Sequence, residues 1–168
     1  MDERFILRKI KKEELPAMFE LIKSRIRWMD EVGIEQWNKT HYTDVYPMSY
    51  YEGHRKDGRV FVLMDTSDGT MAAAAVIKTE DDRWPENDVP AYYLHNFASD
   101  IKKKGSGSVF LSHMEEYAKS QGMAYMRLDS AVGNRPLEDY YTARGYVPCG
   151  TCVDGLYEGI LRQKALKS

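Results

Sequence analysis

The chain has 168 residues, a formal charge of −2 and an ordinary 43% hydrophobic share. That is enough for one domain over residues 1–168 with a core that needs no staples, and the near-neutral balance leaves no global field to attract nucleic acid or an anionic membrane. Charges occupy the first residues where a signal peptide needs an apolar core, and no apolar run reaches the length of a membrane span, so the expected location is cytoplasmic.

Residues 5–10 alternate as a first strand. Leu15, Met18, Phe19, Ile22, Ile26 and Met29 share one helical face and predict a helix over 13–31, with Pro16 tolerated in its first turn and Gly33 ending it. Residues 33–38 follow neither regular period. A second helix is predicted over 47–55 with Pro47 in its first turn. Strands over 60–64 and 71–78 flank a turn at Ser67, Asp68 and Gly69. Four consecutive alanines, Ala72 to Ala75, run against strand propensity and read as a small-residue wall that admits either a ligand or a closely packed helix, packing being the preferred reading. The polar loop over 79–90 carries Glu80, Asp81, Asp82, Glu86 and Asp88; it would either draw a cationic amine or simply be solvated.

The most informative stretch follows. Tyr92, Tyr93, Leu94, Phe97 and Ala98 form a buried strand. Lys102, Lys103, Lys104, Gly105, Ser106 and Gly107 then make a basic glycine turn, after which Val109, Phe110, Met114, Tyr117 and Ala118 recur at helical spacing. A helix start presents unpaired backbone N–H groups and a partial positive charge, and glycines let an oxyanion approach the backbone, so this turn suits a phosphate. Neither a P-loop nor the three-glycine dinucleotide fingerprint is present. Gly122 ends the helix; a strand over 123–130, a short helix over 134–144 and a hairpin over 146–163 turning at Asp154 and Gly155 complete the chain.

Lys102, two residues, Gly105, one residue, then Gly107, directly after a strand, resembles the pyrophosphate loop of the GNAT (Gcn5-related N-acetyltransferase) superfamily. Asn134 followed by Tyr140, Tyr141, Gly145 and Tyr146 resembles that family's later motif. Lys102 departs from the usual Arg or Gln, keeping charge but losing a planar fork. The resemblance implies an α/β fold, a mixed, mostly antiparallel central sheet flanked by helices, with central strands splayed around acetyl-CoA. It implies an N-acetyltransferase acting by direct attack of a primary amine of a small molecule or peptide. A homodimer is common in the family. The alternative is a non-catalytic acyl-CoA-binding sensor or structural module; a general nucleotide-binding α/β protein is a third reading.

The same resemblance suggests roles. Lys102, Lys103, Lys104, Gly105, Ser106, Gly107 and Ser108 would hold the phosphates, and the strand edge at Asn96, Phe97 and Ala98 would pair with the pantetheine arm. The Phe97 N–H is the candidate oxyanion donor. Tyr141 aligns with the family's general acid, leaving Tyr140 for the core. Asn134 contacts the cofactor, caps the last helix, or does both. Glu80, His95 and Glu35 are candidate bases in that order, with His95 equally readable as a core histidine. Glu35, Gln36 and Trp37, with His95, are candidate acceptor contacts; Trp37 is equally a core residue, and Trp28 reads as core. The four histidines show no ligand spacing and imply no metal. Cys149 and Cys152 lie in a predicted strand without a second pair, and read as reduced thiols.

Overall fold

A computed structural model describes residues 4–85 and 88–166, so Glu86 of the acidic loop lies outside the described residues. β1 (Phe5–Lys9) leads through a 3-10 turn (Lys12–Glu14) into α1 (Leu15–Val32). The α-helix begins at Leu15, the first residue of its apolar stripe, and not at 13, because residues 12–14 form the 3-10 turn in which the Glu14 carboxylate accepts from the Lys11 N–H at 2.8 Å. Gly33 closes α1 at φ 76°, a left-handed cap that glycine adopts without strain.

The segment with no period contains a 3-10 turn (Trp37–Lys39) and one helical turn, α2 (Tyr42–Val45). Rings hold it together. Trp37 stacks on Tyr42 with centroids 4.3 Å apart, Tyr42 meets Tyr46 at 4.9 Å, and Tyr46 meets Tyr50 at 4.8 Å. Such tertiary stacking leaves no mark in local propensity. α3 (Met48–Lys56) starts directly after Pro47. The rest is β2 (Val60–Asp65), β3 (Thr70–Lys78), β4 (Ala91–Ser99), α4 (Ser106–Ser120), β5 (Tyr125–Ala131), α5 (Arg135–Ala143), β6 (Val147–Asp154) and β7 (Tyr157–Ala165).

The seven strands form one sheet in the order β1-β2-β3-β4-β5-β7-β6, antiparallel throughout except for β4 and β5. Helices cover both faces, as the family resemblance implies. On one face Phe110, Leu111 and Met114 of α4 and Tyr141 of α5 pack on Leu63 and Leu128. On the other, Met18, Ile22 and Tyr51 pack on Val60, Val62 and Val76. The four alanines of β3 have no accessible surface and divide between these two clusters, so the alanine wall is packing that lets helices approach both faces. Each large apolar side chain buried this way contributes roughly 1.5–3 kcal/mol. No helix among the described residues is long and apolar enough to cross a membrane. Cys149 (exposed) and Cys152 (buried) are free thiols in β6.

Two irregularities in the sheet create the site. β4 pairs with β5 only at Ala91, Tyr92 and Tyr93, whereas β5 stays paired with β7 along its whole length, from Tyr125 to Ala131. Past Tyr93 the two parallel strands therefore part, leaving that edge of β4 without a strand partner. On its other edge β4 opposes Ala74 with Ala98 and Val76 with His95, so Asn96 and Phe97 share the single residue Ala75. This is a β-bulge, with Asn96 at φ 55°.

Candidate active site

A cavity of about 680 Å³ fills the gap between β4 and β5. At one end stands the start of α4. Gly105, at φ 81°, turns the chain into the helix, and Gly107 lies against β4: a Cβ added there would meet Phe97 Cζ and Ser99 Oγ at 3.4 Å. Gly105, Gly107 and Ser108 line the cavity. Phe97 is fixed in turn by stacking on Phe110, with centroids 5.2 Å apart.

The lysines of the turn do not share this wall. Lys103 is bound to Asp65 and Asp68 of the β2–β3 turn at 2.7 and 2.6 Å, which clamps the glycine turn to the sheet. Lys102 and Lys104 are exposed and outside the lining. Ser106 is buried, its hydroxyl donating to the Ala72 carbonyl at 3.3 Å. The guanidinium at this end comes from Arg25 of α1, a residue with no local signal in the sequence. It lines the cavity, donates to the Ser99 carbonyl and hydroxyl at 2.9 and 2.7 Å, and lies over Trp28. Trp28 also lines the cavity instead of sitting in the core.

The bulge is held by side chains. Tyr50 donates its hydroxyl proton to Asn96 Oδ1 at 2.8 Å, and Asn96 Nδ2 donates to the Tyr42 hydroxyl at 2.6 Å. Burial pushes both phenols above their ordinary range, so neither ionises at neutral pH. Asn96 and Phe97 line the cavity, whereas the Ala98 side chain is buried towards α1.

Both tyrosines of α5 line the cavity, and Tyr140 is not the core residue that the sequence suggests. Tyr140 is half-buried and shares a 2.9 Å hydrogen bond with Ser108 Oγ. Tyr141 is the buried one, packed edge-on against Tyr140 and Tyr146. Its hydroxyl has no hydrogen-bond partner among the described residues, and burial pushes its pKa well up. Asn134 lines the cavity and does two jobs: Oδ1 caps α5 by accepting from the Leu137 N–H at 3.3 Å, and Nδ2 donates to Gln36 Oε1 at 3.0 Å.

The far end is made of side chains from separate segments. Gln36, Trp37 and His95 line it; Glu35 is exposed and stands apart. Glu80, the first candidate base, is also exposed and outside the lining, because β3 ends at Lys78 and leaves it on the solvent side. Its neighbour Asp81 turns inward instead. Asp81 Oδ2 lies 2.8 Å from His95 Nε2, within ion-pair range but off the line of a well-directed hydrogen bond, so that buried nitrogen has no directed partner among the described residues. Burial acts to raise the Asp81 carboxyl, yet His95, the Arg83 N–H at 3.0 Å from Oδ1 and the Arg83 charge hold it below the usual range. Arg83 reaches Asp129 at 3.3 Å, Asp154 at 2.7 Å and the Tyr46 hydroxyl at 3.3 Å, and Tyr157 donates to Asp129. Asp81, His95 and Asp129 bring donor atoms within 4.8 Å of one another.

Comparison with known proteins bears on the family and the fold. Residues 17–146 match the model of the acetyltransferase (GNAT) family. The fold is similar to that of a GNAT acetyltransferase from Streptococcus agalactiae 2603, at a TM-score of 0.81 and 19% identity over 100% of this chain and 99% of that one. A GNAT acetyltransferase from Listeria monocytogenes 4b F2365 follows at 0.77 and 22% identity over 96% and 95%. The PaiA N-acetyltransferase of Thermoplasma acidophilum, solved in complex with coenzyme A, gives 0.73 and 16% identity over 98% and 99%. No curated protein matches the sequence significantly.

Proposed function

The chain belongs to the acetyltransferase (GNAT) family, and from that premise we propose that it is an N-acetyltransferase moving an acetyl group from acetyl-CoA to a primary amine of a small molecule or peptide. The observation that carries the reading is the convergence of a glycine-turned helix start, a bulged strand with one edge unpaired, and a buried tyrosine on one cavity. The residues present fit the cofactor. Gly107 keeps clear the space that a Cβ would fill against Phe97 and Ser99, and the first N–H groups of α4 lack intrahelical partners, as at any helix start. Arg25 supplies at this end the planar guanidinium that Lys102 does not.

When bound, acetyl-CoA supplies a thioester: the new C–N bond forms at its carbonyl carbon and the C–S bond breaks with its electron pair on sulfur. The β4 edge past Tyr93 would pair with an extended arm as an added strand would. The Phe97 N–H, set by the bulge, would donate to the developing oxyanion, an interaction worth about 3 kcal/mol where such donors have been removed. Tyr141 stays protonated at neutral pH and would give its proton to the leaving sulfur. An amine that arrives as an ammonium loses two protons. His95, backed by Asp81, would carry one to solvent, and the other balances the proton that Tyr141 donates and recovers. In this reading His95 replaces the exposed Glu80 as base. Reduced Cys149 and Cys152 and a supply of acetyl-CoA suit the cytoplasm.

Amine-dependent thiol release in the presence of acetyl-CoA tests the proposal. Tyr141→Phe should lower kcat by about 10²–10⁴-fold with an unchanged Kd for acetyl-CoA. Equal turnover would remove Tyr141 from the mechanism. Acetyl-CoA binding with no amine-dependent release from any acceptor would make the chain a binding module instead.

A further inference from the structure

The far end of the cavity selects by charge. The side chains of Asp129 and Asp81 are only 9% and 5% exposed, so both carboxylates are withdrawn from water. Arg83 is the cavity-lining guanidinium that reaches Asp129, and it is shared with Asp154 and the Tyr46 hydroxyl while its plane lies over the Tyr157 ring at 5.2 Å. Asp81 is ion-paired by its side chain to an imidazole, which neutralises it only when protonated; from Arg83 it receives the backbone N–H and a more distant charge that is already shared between Asp129 and Asp154. The other lining guanidinium, Arg25, is committed to Ser99 at the opposite end. Arg127, two residues before Asp129, is turned to the Tyr93 hydroxyl and Gln163. The walls between these groups are rings: Trp37 on Tyr42, then Tyr46, then Tyr157.

A withdrawn carboxylate without a full counter-charge is costly and favours an incoming cation, and aromatic faces favour one further. An acceptor with a carboxylate beside its nitrogen would instead bring a second anion towards Asp129 and find both lining guanidinia already bound. A divalent metal suits the place less well, because coordinating Asp129 directly would displace the Arg83 and Tyr157 hydrogen bonds to its carboxylate, whereas an ammonium adds one more donor beside them. We propose that the acceptor is a small primary amine that arrives as an ammonium on an apolar or aromatic body, carries no carboxylate beside its nitrogen, and is held by Asp129 with His95 and Asp81 behind it. The inference rests on the acetyl-transfer reading of the same cavity. The nitrogen would thus lose its protons where His95 can take them.

Two matched pairs test it: phenethylamine against phenylalanine, and putrescine against ornithine, each differing by one carboxylate. Both kcat/KM at saturating acetyl-CoA and the Kd of each amine for the protein saturated with coenzyme A are measured. The carboxylate-free member of at least one pair should be favoured by about 10-fold or more in both quantities, and Asp129→Asn should shrink that ratio while leaving the Kd for acetyl-CoA unchanged. Equal use of both members of a pair would overturn the specificity and leave acetyl transfer standing. Selective binding without turnover would uphold the specificity and overturn acetyl transfer. If none of the four amines binds, the specificity falls. Loss of turnover on adding EDTA would overturn it in favour of a metal at Asp81, His95 and Asp129.

Discussion

At the cofactor end of the cavity the groups that would hold a ligand are mostly backbone: the start of α4 after Gly105, the unpaired edge of β4, and the N–H displaced by the bulge at Asn96. At the acceptor end they are side chains drawn from four separated segments, with Trp37, Arg83, Asp129 and Asp154 meeting only in the folded chain. Backbone can bind only what repeats, such as phosphates and amides, so it suits a ligand shared by a whole family. Side chains on loops can be exchanged without disturbing the sheet, so they suit the partner that differs from member to member.

The largest effects that would sharpen this contrast belong to the acceptor end. His95→Asn and Asp81→Asn should each lower kcat/KM by about 100-fold, the usual scale of a lost general base, without changing the Kd for acetyl-CoA. A matching loss of cofactor affinity would show that the two ends are not separate. Next comes the clamp on the bulge. Tyr42→Phe and Tyr50→Phe each remove one hydrogen bond from Asn96 and should lower kcat by about 10-fold, corresponding to about 1.4 kcal/mol of positioning. An unchanged kcat for the double variant would mean that the bulge is self-supporting.

The smallest effect is expected at Lys103, which ties the glycine turn to Asp65 and Asp68 and stays out of the cavity. Lys103→Ala should change the Kd for acetyl-CoA by less than about threefold while altering acid stability. Arg4 and Lys103 hold the Asp65 carboxyl far below its usual range, and Lys103 with Thr70 brings Asp68 down to about 2. Both folded-state values are depressed, so the stability they contribute is fully present above about pH 4, where the unfolded carboxylates ionise, and is lost as the pH falls towards 2. Thermal melts should show Tm falling less steeply across that window in Lys103→Ala than in the wild type. An identical slope would mean that Lys103 is not what depresses these carboxyls.

Much of the cofactor end could be read from residues because each part has a local signature. Gly105 and Gly107 mark a turn into a helix, Leu15 to Met29 keeps a helical stripe, and Tyr140, Tyr141, Gly145 and Tyr146 keep a family spacing. What escaped was long-range. α2 is held by ring stacking, not by propensity. Arg25 lies on a helix face like any other charged residue, and only the fold brings it to Ser99. Glu80 and Asp81 are adjacent acids in a polar loop, and which of them turns inward depends on where β3 ends. The lysine run shows the converse limit: three cations beside a glycine turn look like a phosphate grip, yet Lys103 is spent on Asp65 and Asp68, which lie far earlier in the chain.

The most direct test of the central claim is a calorimetric titration of the protein with acetyl-CoA, with Gly107→Glu beside it. The account predicts saturable binding by the wild type and none by the variant, because the new carboxylate would occupy the space between α4, Phe97 and Ser99 and repel phosphate. Absence of binding by the wild type, or equal binding by both proteins, would contradict the assignment of this cavity to acetyl-CoA.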